Sequence, residues 1–124
     1  MQSLKVLFVD DEAELVSAVV ERLQLRDIAA EGETSGAAAL ERIRGTTYDV
    51  VALDVKMPGL GGLDVVRRLR QDHPQLKVVL LTGHGSAEDA AEGERLGTFA
   101  YLQKPVDIDD LVAILRRAAA GEPR

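Results

Sequence analysis

No cysteine occurs in the 124 residues, which excludes disulfides, thiolate nucleophiles and thiolate-held zinc or iron–sulfur centres. Two histidines are too few for a histidine-rich metal site, and tryptophan is absent. Aromatic residues reach only 3% against 46% hydrophobic residues, so the core must be aliphatic and rich in alanine. Positive charge is in deficit: 15 Lys and Arg face 21 Asp and Glu, a formal net charge of −6. That balance gives no general attraction to polyanions, and it argues against direct binding of nucleic acid or an anionic membrane. No segment approaches 18 continuous apolar residues, and the N-terminus has no apolar stretch of signal length. The expected location is the cytoplasm. The length suits one domain.

What the chain does hold is an alternation of apolar runs and amphipathic segments. Lys5-Val6-Leu7-Phe8-Val9 is continuous in apolarity, as in a strand covered on both faces, and it stops at Asp10-Asp11. Leu15, Val16, Val19, Val20 and Leu23 follow at helical spacing. A weaker second unit joins Ile28-Ala29-Ala30 to a helix capped by Ser35, striped by Ala39, Leu40 and Ile43, and stopped by Gly45. Tyr48-Asp49-Val50-Val51-Ala52-Leu53 predicts a third strand ending at Asp54. Met57-Pro58-Gly59-Leu60-Gly61-Gly62 then breaks regular structure, and Leu63, Val66 and Leu69 mark a helix that Pro74 ends. Val78-Val79-Leu80-Leu81 is a fourth strand, with Thr82-Gly83-His84-Gly85 as its exit loop. Ser86 to Leu96 has helical composition but few large apolar residues and an internal Gly93, so this helix is expected to be mobile or partner-dependent. Phe99-Ala100-Tyr101-Leu102 is the last strand, and Asp107 caps a helix striped by Ile108, Leu111, Leu115 and Ala118. Five successive β–α units predict an α/β fold with helices on both faces of a parallel sheet.

Such sheets place their sites beyond the carboxyl ends of the strands. Asp10 and Asp11 end strand one, Asp54 ends strand three, Thr82 ends strand four and Lys104 ends strand five; Asp49, at the start of strand three, belongs to the opposite end. In the order 2-1-3-4-5 the three carboxylates converge over one crevice. Taken singly, Asp10-Asp11 reads as a strand-end turn and Lys104 as a solvated lysine; their joint placement is what points to a site. Clustered carboxylates raise each other's cost of ionisation, which a hard cation and the Lys104 ammonium would relieve. Mg²⁺ suits ligands that are all oxygen. A carboxylate is also a competent nucleophile towards a phosphoryl group, whose oxygens the cation and lysine would neutralise while Thr82 donates a hydrogen bond.

In this combination the chain resembles the receiver domains of bacterial two-component response regulators. The resemblance is carried by Asp10-Asp11, by Asp54 within Leu53-Asp54-Val55-Lys56-Met57-Pro58-Gly59, by Thr82 after Val78-Val79-Leu80-Leu81, and by Lys104-Pro105, over residues 4–120. It implies a flavodoxin-like, doubly wound (βα)5 three-layer sandwich, with a receiver domain at 1–120 and a tail or linker start at 121–124. It implies that Asp54 is the phosphoacceptor, receiving phosphate from a sensor histidine kinase or a histidine phosphotransfer protein. Mg²⁺, with Mn²⁺ as an alternative, would be held by Asp11, Asp54 and the Lys56 backbone carbonyl, with Asp10 acting through a water. Thr82 and Tyr101 occupy switch positions, and Lys104 pairs with the phosphate ahead of a cis-proline, Pro105. The output surface would be helix 4, strand 5 and helix 5, on a monomer or a phosphorylation-promoted dimer. The domain would signal rather than act as an enzyme.

The chain departs from the family where Gly61-Gly62 stands for the usual Asp-Gly, which removes a loop carboxylate. Lys56 and His84, two residues beyond Asp54 and Thr82, occupy positions that modulate phosphate lifetime in the family. His73 reads as a helix-end residue, Met57 as a loop anchor, and the Arg67-Arg68 and Arg116-Arg117 pairs as solvent faces of helices. One alternative is a pseudo-receiver that binds protein constitutively. Another is a Mg²⁺-dependent phosphohydrolase of haloacid-dehalogenase type; such enzymes need an acid two residues after the nucleophile, where this chain has Lys56. Nucleotide binding is weaker still, because the first strand–helix turn lacks a glycine loop.

Overall fold

The continuous apolar runs form the middle of a five-stranded parallel sheet with strand order β2-β1-β3-β4-β5. The computed structural model describes residues 3–83 and 86–122. Its elements alternate as β1 (Lys5–Val9), α1 (Ala13–Gln24), β2 (Ala29–Glu33), α2 (Gly36–Gly45), β3 (Val50–Asp54), α3 (Gly62–Asp72), β4 (Lys77–Thr82), α4 (Ala87–Arg95), β5 (Ala100–Gln103) and α5 (Ile108–Ala119). The doubly wound order expected from the sequence is the order observed. Side chains alternate between two apolar layers. Val6, Phe8, Val50 and Ala52 face α1 and α5, while Leu7, Val51, Leu53 and Leu80 face α2 and α3. All five residues of β3 are buried, which is why its sequence does not alternate in polarity.

The edge strand β2 is longer than its apolar residues suggest and runs on through Glu31-Gly32-Glu33. Among the described residues it pairs with β1 alone, so polar side chains are tolerated along it. Arg42 of α2 reaches back to Glu33, Nε to Oε1 at 2.6 Å, and to Glu31, Nη1 to Oε1 at 3.1 Å. Gly32 lets α1 lie directly on the strand: a Cβ there would stand 2.3 Å from Val16 Cγ1.

Tyr48 and Asp49 precede β3 rather than opening it, because both are engaged elsewhere. The Asp49 carboxylate accepts the Lys5 N–H at 2.8 Å, at the end of the sheet opposite Asp54. The Tyr48 hydroxyl donates to Glu31 Oε1. Burial, then that bond, lifts the Tyr48 pKa from 10.0 to about 12, against the opposing pull of Arg42. The same bond, helped by Lys5 and Arg42 and opposed by burial, holds Glu31 below the ordinary carboxylate value. With two tyrosines and no tryptophan, an ultraviolet titration of tyrosinate should show one group ionising near pH 12. Tyr48→Phe should delete that late step. Since the folded value exceeds the unfolded one, the stability this contact contributes is whole below about pH 10 and lost towards pH 12.

Several local signals hold and a few shift. Ser35 Oγ accepts the Ala38 N–H at 3.1 Å, and Asp107 Oδ1 accepts the N–H groups of Asp109 and Asp110 at 2.8 and 3.3 Å. Gly45 is the last residue of α2 rather than a residue beyond it. The buried face of α3 is Gly62, Val65, Val66 and Leu69, with Leu63 only half-buried. Met57 is buried as expected of a loop anchor. Arg67 and Arg116 are exposed yet not idle. Arg67 pairs with Asp64 and Glu92, and Arg116 Nη2 donates to the Arg26 carbonyl.

α4 is the least apolar helix in its packing, with Gly93 its one buried residue. Ser86 Oγ caps it by accepting the Asp89 N–H at 3.0 Å. It approaches the sheet closely at Gly93, where a Cβ would lie 2.9 Å from Leu80 Cδ1. The Thr98 hydroxyl donates to the Gly93 carbonyl at 3.0 Å. Among the described residues, no helix is long and apolar enough to cross a membrane.

Candidate functional site

The parallel register assembles the site. Val9 lies beside Leu53 and Asp54 beside Leu81, so Asp10, Asp54 and Thr82 emerge together at the carboxyl ends of β1, β3 and β4. Backbone bonds fix the rim: the Asp10 N–H donates to Glu33 O at 3.2 Å, Val55 N–H to Leu81 O at 2.9 Å, and Lys104 N–H to Thr82 O at 2.8 Å. Asp10 and Thr82 are fully buried, Asp54 is 5% exposed, and Asp11 faces solvent.

Each inner carboxylate is held in a fixed orientation. Asp10 Oδ1 accepts the Glu12 N–H at 2.9 Å, and Asp54 Oδ1 accepts the Lys56 N–H at 3.1 Å. Lys104 Nζ donates to Asp10 Oδ2 and to Asp54 Oδ2, the latter at 3.2 Å, and so bridges strands one and three from the end of β5. Burial alone lowers the Lys104 pKa, but the bonds and charges of Asp10, then Asp54, outweigh it and hold the pKa above the ordinary lysine value. The stabilisation this brings is whole below the ordinary lysine pKa and is lost only as pH rises through the elevated one. The Lys104–Pro105 peptide is cis.

One carboxylate oxygen from each of Asp10, Asp11 and Asp54 lies within 4.8 Å of the others. Three carboxylates against one ammonium leave the cleft negative, and the donor set is oxygen only. That chemistry fits a hard divalent cation of the Mg²⁺ type. Exposed Asp11 leaves the solvent side open to a hydrated ion.

The model of the family described as "Response regulator receiver domain" matches residues 6–116. The chain belongs to the response regulator receiver family. The receiver is 35% identical over 118 residues to the DNA-binding transcriptional regulator NtrC of Escherichia coli K12, an alignment covering 95% of this chain and 25% of that protein. The chain thus spans about a quarter of NtrC's length. Among solved structures, a response regulator receiver domain protein from Clostridium thermocellum superposes with a TM-score of 0.90 at 31% identity, covering 95% of each chain. A BeF3-activated DrrB receiver domain superposes with a TM-score of 0.85 at 27% identity, covering 96% of this chain and 99% of that one. Family membership makes this a phosphoryl-accepting signalling domain of a phosphorelay rather than a stand-alone catalytic enzyme.

The remaining residues singled out from the sequence fall as follows. Tyr101 lies in β5, half-buried against the layer that contains Leu80, with its hydroxyl shielded and, among the described residues, without a hydrogen-bond partner. Lys56 is exposed, and its ammonium stands 3.5 Å from Asp89 Oδ2 of α4. His84 lies outside the described residues. Two residues gain a role that the sequence reading did not give them. Gly62 is the point where α3 meets the backbone of Asp54, with room for no Cβ. Asp89, legible only as the third helical residue after a serine cap, pairs with Lys56, a partner that no linear spacing reveals.

Proposed function

We propose that Asp54 is the phosphoacceptor of this receiver. The observation that carries the reading is Lys104 bridging Asp10 and Asp54 over the three-carboxylate cluster. Asp54 stands on the central strand between Asp10 and Thr82, so a phosphoryl group added there lies within the reach of Lys104 and Thr82. The donor is a phosphohistidine on a sensor histidine kinase or a phosphotransfer protein. An Asp54 oxygen attacks phosphorus, the phosphorus–nitrogen bond breaks, and the imidazole nitrogen keeps the electron pair and takes up a proton. Asp10, Asp11, Asp54 and the Lys56 carbonyl would hold Mg²⁺ or Mn²⁺, which supplies positive charge for the phosphoryl oxygens. Lys104 exchanges part of its pairing with Asp54 for a phosphoryl oxygen, and Thr82 donates its hydroxyl to another. Tyr101, whose ring already points into the fold, is the second switch residue.

The receiver unit spans residues 1–120, with 121–124 a tail or linker start, and it works in the cytoplasm. Its output runs through α4, β5 and α5, on a monomer or a dimer favoured by phosphorylation. Intact-mass measurement after rapid quenching, with acetyl phosphate as donor, tests the assignment. One phosphoryl adduct is expected with Mg²⁺ present, and none in Asp54→Asn or with EDTA. An adduct that survives Asp54→Asn would move the acceptor elsewhere. A wild-type chain that takes no phosphate and does not respond to beryllofluoride would be a constitutive binding domain.

A further inference from the structure

Asp89 sits in the first turn of α4, and its Oδ2 is shielded from solvent yet accepts no hydrogen bond among the described residues. Its side chain is 20% exposed, and among the described residues its ion-pair partner is Lys56, Nζ to Oδ2 at 3.5 Å. A shielded carboxylate oxygen without a donor is costly, and the Lys56 ammonium beside it offsets that cost with its charge. Lys56 is rooted at the phosphorylation site, since its own N–H donates to Asp54 Oδ1. Its side chain is 62% exposed, so this pairing rather than packing restrains a flexible four-carbon stem.

We propose that Asp89 is a positioning residue for the chemistry at Asp54: it retains the Lys56 ammonium at α4, and a phosphoryl group on Asp54 competes for that cation. The inference rests on Asp54 being the phosphoacceptor. A phosphoryl group brings nearly two negative charges and three acceptor oxygens beside the Lys56 backbone. In decay of the adduct, water adds to phosphorus and the bond from phosphorus to the Asp54 oxygen breaks. The carboxylate leaves with the electron pair, a water proton passes to solvent, and inorganic phosphate departs. An ammonium drawn to the phosphoryl oxygens lays its four-carbon stem beside the group, and that stem narrows the approach of water. By keeping Lys56 occupied, Asp89 keeps the adduct short-lived.

The test is the half-life of the adduct formed from acetyl phosphate and Mg²⁺, followed by intact mass after the donor is removed. Asp89→Asn keeps the shape and removes the charge; it should lengthen the half-life by about three- to tenfold. Asp89→Glu should restore a half-life close to wild type. In a Lys56→Met background, adding Asp89→Asn should change the half-life by less than about twofold, because the cation it would release is gone. An unchanged or shorter half-life in Asp89→Asn overturns the proposal. So does an equal lengthening without Lys56, which would mean that Asp89 acts through α4 itself. Failure of the wild-type chain to form any adduct is a separate result, and it removes the Asp54 assignment on which the proposal rests.

Discussion

Lys104→Met is expected to lower the stability of the metal-free receiver by about 3 kcal/mol. The Lys104 ammonium bonds both Asp10 and Asp54, and Asp10 is fully buried. Removing one partner of a buried ion pair leaves the other charge without compensation, which costs far more than losing a surface pair. Here it also leaves three carboxylates confronting one another within 4.8 Å. A divalent cation can replace the missing charge, so Mg²⁺ should raise the unfolding midpoint of Lys104→Met by more than it raises that of the wild type. Asp54→Asn should behave oppositely. It removes a negative charge from the cluster, so the metal-free protein should be at least as stable as wild type while gaining little from Mg²⁺. Urea titrations in EDTA and in excess MgCl₂ read both effects. Equal midpoints for wild type and Lys104→Met in EDTA would mean that the bridge carries no stability.

The second large effect is steric. Gly62→Ala should destabilise the fold by about 3 kcal/mol and slow phosphorylation. A Cβ on Gly62 would lie 2.3 Å from the Asp54 carbonyl oxygen and 2.8 Å from Val55 Cα. These are backbone atoms at the end of a buried strand, so they can move only by displacing the Asp54 carboxylate from Lys104. The Gly62 N–H also donates to Val55 O at 3.0 Å, which ties the start of α3 to the same point. Gly45→Ala is the matched control. Among the described residues nothing lies within 4 Å of a Cβ there, and alanine in a helix should be neutral or stabilising by up to about 1 kcal/mol. If the two substitutions shift the unfolding midpoint alike, the close approach at Gly62 is not a constraint.

The sequence made the central strands legible because β1, β3 and β4 are buried on both faces and so appear as unbroken apolar runs. The same burial explains why Asp10, Asp54 and Thr82 could be placed: a polar residue ending such a run has one place to go, the sheet edge. β2 is less legible, since Glu31 and Glu33 are satisfied by Arg42 and Tyr48 and leave no apolar signature. Gly62 looked like one glycine in a loop of three because a steric limit depends on what lies opposite it. Asp89 and Lys56 are separated by a helix and a strand, and their pairing exists only once α3 and α4 are packed.

The edge at β2 has a consequence for assembly. An open sheet invites a foreign strand to extend it, and this one ends in a backbone flanked by Glu31 and Glu33, with Gly32 between them. Those carboxylates already hold Arg42, so an incoming strand would have to break the pairs or bury acids beside its own side chains. A second copy arriving with the same strand would set carboxylate near carboxylate, an arrangement that like-charge repulsion disfavours. The pairing that keeps a polar strand in the fold thus also guards it against runaway growth.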